Sequence, residues 1–374
     1  MRILQVGLSY NPGGIESFVM NYYRELVKQD VQFDFISMFP KLAYEDEITS
    51  LGGKVYHTVD GRKHPLAFYR QMKKILRMRR YDAVHVNMLS AANIVPVMVA
   101  RQLGVRKVIA HSHNSSTPGV IRNFLHRMNK PFLSRFATDY FACSHVAAEW
   151  LFTKKVLKKE NVRVIHNALK MEKFLCTDAE REKIRQELQL EDKYVVGHVG
   201  RFEEQKNHLF LIEIFKALVK TQENAVLLLV GNGELEAQVR EKVHEYGLDK
   251  NVMFLGLRDD VPRILKAMDL FLFPSLFEGL PLVLLEAQAA GVRCVVSSSV
   301  TKDVDITGQM EFISLDEEPM QWAKLISNRV EMQADALSTD VIQTRFQDAG
   351  YEICAAANQL KLYYSEDKKI VDKR

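Results

Sequence analysis

Two carboxylates with seven residues between them, Glu278 and Glu286, lie in the segment Phe273-Pro-Ser-Leu-Phe-Glu278-Gly279-Leu280-Pro281-Leu-Val-Leu-Leu-Glu286-Ala-Gln-Ala-Ala-Gly291. Pro281 suits the first turn of a helix, so Glu278 falls in the loop before it. Glu286, five residues further at ~1.5 Å each, stands ~7.5 Å up that helix. Backbone N–H groups of Gly279 and Leu280 at a helix start suit a phosphate, and a carboxylate one turn away suits a vicinal diol such as ribose. A nucleotide sugar carries both groups. Taken singly, Glu278 also reads as a carboxylate favouring the helix dipole and Glu286 as a solvated helix residue.

A second chemical segment, Val199-Gly200-Arg201-Phe-Glu-Glu-Gln205-Lys206-Asn207-His208, follows a strand-like run and sets Arg201 and Lys206 five residues apart. A guanidinium fork and a mobile ammonium together neutralise a diphosphate and stabilise charge on a departing one. The competing reading is an exposed loop pair beside Glu203 and Glu204. Generic nucleotide signatures are missing. Gly52-Gly53-Lys54-Val55 lacks the first glycine and the hydroxyl of a P-loop. Gly231-Asn232-Gly233-Glu234-Leu235-Glu236 puts a carboxylate where a dinucleotide fingerprint needs its third glycine, which disfavours a redox Rossmann enzyme.

The elements that must hold these residues follow one grammar. Arg2-Ile-Leu-Gln-Val-Gly7 is a strand-like run, a polar loop ends in Gly13-Gly14, and Ile15, Phe18, Val19, Tyr22, Tyr23 and Leu26 then recur at helical spacing. Further strands are expected at Val31–Ser37, Lys54–Val59, Tyr81–Asn87, Arg106–His111, Asp139–Ser144 and Val162–His166. The intervals suit parallel βαβ crossovers. After Lys170 the pattern restarts with strands at Tyr194–Gly200, Ala225–Gly231, Val252–Gly256, Leu270–Ser275 and Arg293–Ser298, and with helices at His208–Lys220 and Gly233–Glu245. Asp340–Asp372 reads as one long helix with a charged end.

The chain is 374 residues long with 47% apolar and 26% charged residues, the composition of a globular protein of two α/β domains. Cys143, Cys176, Cys294 and Cys354 are scattered, which points to neither a zinc site nor a disulfide framework. No signal-peptide pattern opens the chain and no apolar run reaches the ~18 residues of a spanning helix, so a cytoplasmic location is expected. Charge is uneven. Through Lys170 there are 26 Lys+Arg against 12 Asp+Glu, and afterwards 25 against 35, so an anionic partner is expected for the first half alone.

These motifs together resemble the retaining glycosyltransferases of family 4, which have the GT-B fold of two facing Rossmann-like domains with a cleft between them. The resemblance covers nearly the whole chain. It rests on Gly13-Gly14-x-Glu16, His111, His166-Asn167-Ala168, Gly200-Arg201-Phe-x-x-Gln205-Lys206-Asn207, Val230-Gly231-x-Gly233, Phe254-Leu255-Gly256 with Val261 downstream, and Glu278-x7-Glu286. It implies an acceptor-binding domain over residues 1–168, a nucleotide-sugar domain over 169–345, and a C-terminal helix over 346–374 that packs back on the first domain. It further implies that Arg201 and Lys206 hold the donor diphosphate, Glu286 the ribose and Glu278 the donor sugar, with backbone contacts from Gly279 and Leu280. The base would stack near Gly256, Leu257 and Arg258. Gly14 would admit the diphosphate, and Gly13, Glu16 and His113 would face the acceptor. His111 would contact the transferred sugar. The family usually reads His-Gly or His-Asn after that strand, whereas here stands His111-Ser112-His113-Asn114, so either histidine fits.

The implied chemistry retains the anomeric configuration: the acceptor hydroxyl enters on the face the diphosphate leaves, and neither a cofactor nor a metal is expected, the nucleotide sugar being a co-substrate. The expected acceptor is a glycan or a polyprenyl-diphosphate-linked sugar in bacterial cell-surface polysaccharide synthesis. A non-catalytic partner subunit and a nucleotide-sugar epimerase of the same fold are the alternatives. Basic residues concentrate in Arg70–Arg80 and Arg122–Arg135 with apolar residues between them, the pattern of amphipathic helices on an anionic membrane surface. Pro118-Gly119 and Pro131 make an irregular second segment the expectation there. No helix-turn-helix, RNP or zinc-finger pattern occurs, so nucleic acid is not an expected partner.

Overall fold

The computed structural model describes residues 1–159, 162–175, 177–278, 280–331 and 337–366; Cys176 and Gly279 lie outside the described residues. The chain divides into two units, Met1–Leu169 together with the chain from Gly350 onward, and Lys170–Ala349.

The first unit carries a seven-stranded parallel sheet. Its strands are β1 (Arg2–Val6), β2 (Gln32–Ser37), β3 (Val55–His57), β4 (Ala83–Met88), β5 (Lys107–Ser112), β6 (Asp139–Ala142) and β7 (Arg163–Val164), in the order β3-β2-β1-β4-β5-β6-β7. Each expected strand is present, trimmed by a residue or more at most ends. The sheet is covered on both faces, as parallel sheets are. One face packs Phe68, Met72, Val97 and Leu151. The other packs Phe18, Tyr22, Tyr23, Ile353 and Tyr364. The apolar stripe expected on the first helix, Gly14–Leu26, is buried there.

Register decides which polar groups share that second face. Gln5 pairs with His85, and Asn87 with His111, across β1, β4 and β5. Successive strand residues alternate faces, so Gln5, His85, Asn87 and His111 all stand on one side.

The second unit is a six-stranded parallel sheet: β8 (Tyr194–Val199), β9 (Ala225–Val230), β10 (Val252–Gly256), β11 (Leu270–Phe273), β12 (Arg293–Ser297) and β13 (Met310–Ile313), in the order β10-β9-β8-β11-β12-β13. β13 was not expected: Met310-Glu-Phe-Ile is a four-residue edge strand, too short to show a period. The helix His208–Val219 buries Leu211, Ile212 and Phe215, and Phe210 meets the buried Trp322 edge-on at 5.8 Å. The second expected helix starts later, at Glu236, because Gly231-Asn232-Gly233 forms a loop.

The expected single C-terminal helix is two. Thr339–Asp348 belongs to the second unit and Ile353–Ser365 to the first. Gly350 at φ +76° ends the first helix, a conformation that suits glycine. Leu169 then donates to the Tyr351 carbonyl at 2.8 Å and accepts from Ile353 N–H at 3.0 Å, and the Glu352 carboxylate caps the second helix through Cys354 and Ala355 N–H. Residues 367–374 lie outside the described residues. The basic segment Arg122–Arg135 is likewise regular, inside a helix Val120–Phe136 that runs through Pro131.

Candidate functional site

In the second unit the strand order reverses between β8 and β11, and the crevice beyond the carboxyl ends of strands at such a point is where open α/β sheets bind ligands. The loop after β8 brings Arg201 and Lys206 there, and the loop after β11 brings Glu278. The Lys206 ammonium donates to Glu278 Oε1 at 2.6 Å, with side chains 18% and 8% exposed, and lies 4.8 Å from the Phe273 ring centroid. Arg201 is mostly exposed and pairs with Glu203 at 2.8 Å.

The residues around Lys206 hold the two loops together. Leu276 N–H donates to the Gln205 carbonyl at 2.9 Å, Gln205 Nε2 to the Phe277 carbonyl at 2.9 Å, and Asn207 Nδ2 to the Pro274 carbonyl at 3.1 Å. Asn207 sits at φ 56°, a left-handed conformation that asparagine tolerates. Gln205-Lys206-Asn207 is thus a clamp on the Glu278 loop. The sequence shows the triplet, but its contacts are long-range and invisible there.

Gly231-Asn232-Gly233 braces the same loop from β9. Phe202 N–H donates to the Asn232 carbonyl at 2.9 Å. A Cβ on Gly231, at φ +135°, would stand 2.0 Å from the Gly200 carbonyl oxygen, so this backbone approach requires glycine. Gly231 N–H in turn donates to the Gly256 carbonyl at 2.9 Å, which ties in the end of β10. Leu257 is 72% exposed there, and Arg258 makes a two-bond pair with Asp260.

Glu286 lies on the helix Leu282–Ala289, whose N-cap is Pro281, and Leu280 precedes it. Burial pushes the Glu286 carboxyl up from its ordinary 4.5 to about 6. Gly279, expected to give a backbone contact, lies outside the described residues. His198 and His208, which carry no motif in the sequence, stand with imidazoles 4.7 Å apart, and His198 stacks on the same Phe273 ring that Lys206 approaches. Burial above all, with the His208 ring and the Lys206 ammonium adding to it for His198 and Lys206 for His208, favours the neutral form of both.

In the first unit the order reverses between β1 and β4. Gly13 caps the first helix, and a Cβ on Gly14 would meet nothing within 4 Å, so backbone is open to approach there. Glu16, expected on the acceptor side, is buried, and its Oε1 accepts from Ser9 N–H at 2.7 Å, so it braces the loop. His111 is also fully buried, inside β5. His113, beyond the strand end and followed by Asn114, is the partly exposed one of the two. A cavity of about 1,090 Å³ opens at the same strand ends, lined by Gly7, Asn87, Leu89, Ile94, Ile121 and Leu125 among others.

The comparisons with known proteins match this geometry. The family described as Glycosyltransferase Family 4 matches residues 12–173, and Glycosyl transferases group 1 matches residues 180–338. EpsF of Bacillus subtilis (strain 168), named as a glycosyltransferase, is 34% identical over 87% of each chain. The UDP-Gal:alpha-D-GlcNAc-diphosphoundecaprenol alpha-1,3-galactosyltransferase of Escherichia coli is 32% identical over 60% of each chain. Among solved structures, Anabaena HepE in complex with UDP superposes with a TM-score of 0.77 at 19% identity, covering 98% of this chain and 100% of that one. That likeness carries the fold. With two doubly wound parallel-sheet units and matches across both, the chain belongs to the family 4 glycosyltransferases and has the GT-B fold.

Proposed function

We propose that this glycosyltransferase moves a hexose or N-acetylhexosamine from a UDP-linked donor, with retention, to a polyprenyl-diphosphate-linked or growing glycan in bacterial capsular or exopolysaccharide synthesis. The observation that carries the reading is the Lys206–Glu278 pair at the strand-order reversal, one cation and one carboxylate side by side, with Glu286 on the helix that follows the Glu278 loop. Lys206 and Arg201 meet the diphosphate, Glu278 the sugar and Glu286 the ribose. Arg201 exchanges Glu203 for phosphate when donor arrives. The two cations carry the charge balance, and no metal is assigned a part. The departing diphosphate takes the acceptor proton, so positioning and electrostatics do most of the work. Relatives support the acceptor class: the E. coli enzyme and the Campylobacter jejuni alpha-1,4-N-acetyl-D-galactosaminyltransferase are both named for undecaprenol-linked diphosphate acceptors.

The first unit supports a peripheral place on the inner face of the cell membrane. Among the described residues no helix is long and apolar enough to cross a membrane. The helix Val120–Phe136 instead turns Val120, Ile121, Phe124, Leu125, Met128 and Phe132 outward, each between 41% and 86% exposed. Arg122, Arg127 and Arg135 lie on the same helix. Its inner side is anchored: His126 Nδ1 accepts from Ala91 N–H and stacks on Trp150 at 4.1 Å, and Lys130 donates to the Glu149 and Trp150 carbonyls. An exposed apolar stripe flanked by arginines fits an anionic bilayer.

The test is transfer from a panel of labelled UDP-sugars to GlcNAc-diphosphoundecaprenol in vesicles, with and without chelator, and the product's anomeric configuration read by NMR. An α-linked lipid product from an α-linked donor is expected with chelator present. Free epimerised sugar without lipid product would favour an epimerase, and donor binding with neither product would favour a partner subunit.

A further inference from the structure

The polar groups on the second face of the first sheet form one continuous chain. Asn87 Nδ2 lies 3.3 Å from the Val6 carbonyl oxygen. A backbone carbonyl only accepts, so this contact fixes the Asn87 amide with nitrogen toward Val6 and oxygen toward His113. Everything else then follows in order. Asn87 Nδ2 also donates to Gln5 Oε1 at 3.0 Å. Gln5 Nε2 therefore faces Tyr364, donating to its hydroxyl at 3.4 Å. The Tyr364 proton has one acceptor left, His85 Nδ1 at 2.6 Å. His85 accordingly carries its proton on Nε2 and donates to His111 Nδ1 at 3.0 Å. His111 in turn carries its proton on Nε2, which has no partner among the described residues.

At the other end, Asn87 Oδ1 lies 2.9 Å from His113 Nε2 and accepts from it. That leaves His113 Nδ1 with a lone pair, on the partly exposed residue at the mouth of the strand. The ring is held in place as well: Phe18 meets both His111 and His113, at centroid distances of 5.0 and 5.1 Å, and the two imidazoles lie 4.0 Å apart. Asn87 also lines the cavity at the ends of β1 and β4, so His113 and the cavity share a wall.

We propose that this chain is a tautomer lock: Asn87, fixed by the Val6 carbonyl and bonded to Gln5, is a positioning residue that holds His113 with Nδ1 outward as the hydrogen-bond acceptor for a substrate sugar hydroxyl, while Gln5, Tyr364 and His85 carry the same order to His111. The hydroxyl part rests on the transferase reading; the tautomer part does not. Tyr364 comes from the C-terminal helix Ile353–Ser365, 251 residues after His113 in sequence, which gives that helix a part in fixing the His85 tautomer as well as in the core. An imidazole fixed in one neutral form accepts from a hydroxyl without the competing donor form, which a solvent-exposed histidine would populate.

The test uses the full-length protein labelled with 15N-histidine, whose long-range 1H–15N correlations at pH 7 distinguish the two neutral tautomers. His85→Gln and His113→Gln assign the signals. His85, His111 and His113 should all appear in the Nε2–H form. Asn87→Leu should release His113 into a mixture of tautomers and lower kcat about tenfold at unchanged donor KM, the effect of one hydrogen bond. Tyr364→Phe, which keeps the ring packing, should shift His85 Nδ1 and leave His113 in place, because Val6 still holds Asn87. Wild-type His113 in the Nδ1–H form, or a His113 signal unmoved by Asn87→Leu in a protein that melts normally, would overturn the lock. Correct tautomers in a protein that transfers no sugar would leave the lock standing and sink the transferase reading alone.

Discussion

Lys206 Nζ and Glu278 Oε1 stand 2.6 Å apart across the strand-order reversal of the second unit, joining the loop after β8 to the loop after β11. Each residue is the counter-charge of the other. Removing one partner of a fully buried pair costs about 3–5 kcal/mol, and less here because Lys206 keeps 18% of its side-chain exposure. Lys206→Ala should therefore abolish donor binding and also lower the melting temperature. Glu278→Ala should lower the melting temperature less, since the ammonium can reach water. The double variant should melt higher than Lys206→Ala, because no buried carboxylate is left alone. Additive melting losses in calorimetry would show that the pair is not coupled.

Glu286 gives a pH signature. With its carboxyl raised from 4.5 to about 6 by burial, the native state holds the proton more tightly than the unfolded chain. The stability this contributes is complete below about 4.5 and is lost as pH rises through 6. Glu286→Gln should thus leave the melting temperature unchanged at pH 4.5 and raise it at pH 8, by up to about 2 kcal/mol of stability. Ligand binding runs the other way. Only the ionised carboxylate accepts from both ribose hydroxyls, so affinity for a UDP-sugar, whose diester diphosphate does not titrate near 6, should fall as pH drops through 6 in the wild type and stay flat and weak in Glu286→Gln. Titration calorimetry at pH 5, 6 and 8 decides this.

The parts of the molecule that were legible in the sequence are those with local signals. β-rich runs at βαβ spacing gave both sheets, and Glu278, Glu286, Arg201 and Lys206 were visible because charges stand out in apolar or glycine-rich surroundings. What escaped was set by tertiary contacts. Gln205 and Asn207 look like ordinary loop residues until their partners, the carbonyls of Phe277 and Pro274, come within 2.9 and 3.1 Å. The break at Gly350 was hidden because Asp340–Asp372 keeps helical composition on both sides of it. His85 and Asn87 did leave a trace, two polar residues at alternate positions of the otherwise apolar β4, but their chain to His111 and Tyr364 depends on register that no single strand displays.

Gly231 tests the brace behind Arg201. A Cβ at 2.0 Å from the Gly200 carbonyl oxygen meets backbone of Gly200 and Arg201 and no movable side chain, and the residue sits at φ +135° besides. Neither strain can relax by a side-chain rotation. Gly231→Ala should cost roughly 2–3 kcal/mol, the range for an overpacked site combined with an unfavourable backbone conformation. Since the displaced loop carries Arg201 and Lys206, UDP-sugar affinity should fall in the same variant even at temperatures where it is folded. Gly247→Ala, where an added Cβ meets nothing within 4 Å though φ is +65°, is the control for backbone strain without contact.

The outward stripe on Val120–Phe136 predicts binding to vesicles that contain anionic lipid. Phe124→Asp and Met128→Asp place charge on the apolar face and should abolish sedimentation with such vesicles while leaving the melting temperature within about 1 kcal/mol of stability, as exposed positions do. Arg122→Glu and Arg127→Glu should each weaken binding roughly fivefold or more, at about 1 kcal/mol per basic residue near the surface, with the effect shrinking in high salt. Equal binding to neutral and anionic vesicles would remove the electrostatic part of the argument, and wild-type protein that stays in the supernatant would remove all of it.

His111 and His113 should fail in different ways. His111 is fully buried in β5, accepts from His85 and packs on Phe18 and Phe141. Burial, then the nearby His113, hold it neutral well below 6.5, so it brings no charge to lose. Truncation to alanine opens a cavity and leaves the His85 N–H without an acceptor, a loss of about 2 kcal/mol or more. His111→Ala should therefore melt lower and lose transfer in proportion to the folded fraction. His113→Ala removes a partly exposed ring whose one protein hydrogen bond goes to Asn87, so it should melt near the wild type, bind UDP-sugar normally and lose kcat. Kinetics at a temperature where both variants are more than nine-tenths folded separates the two roles, and a His113→Ala enzyme with wild-type kcat there would move the substrate contact away from this strand end.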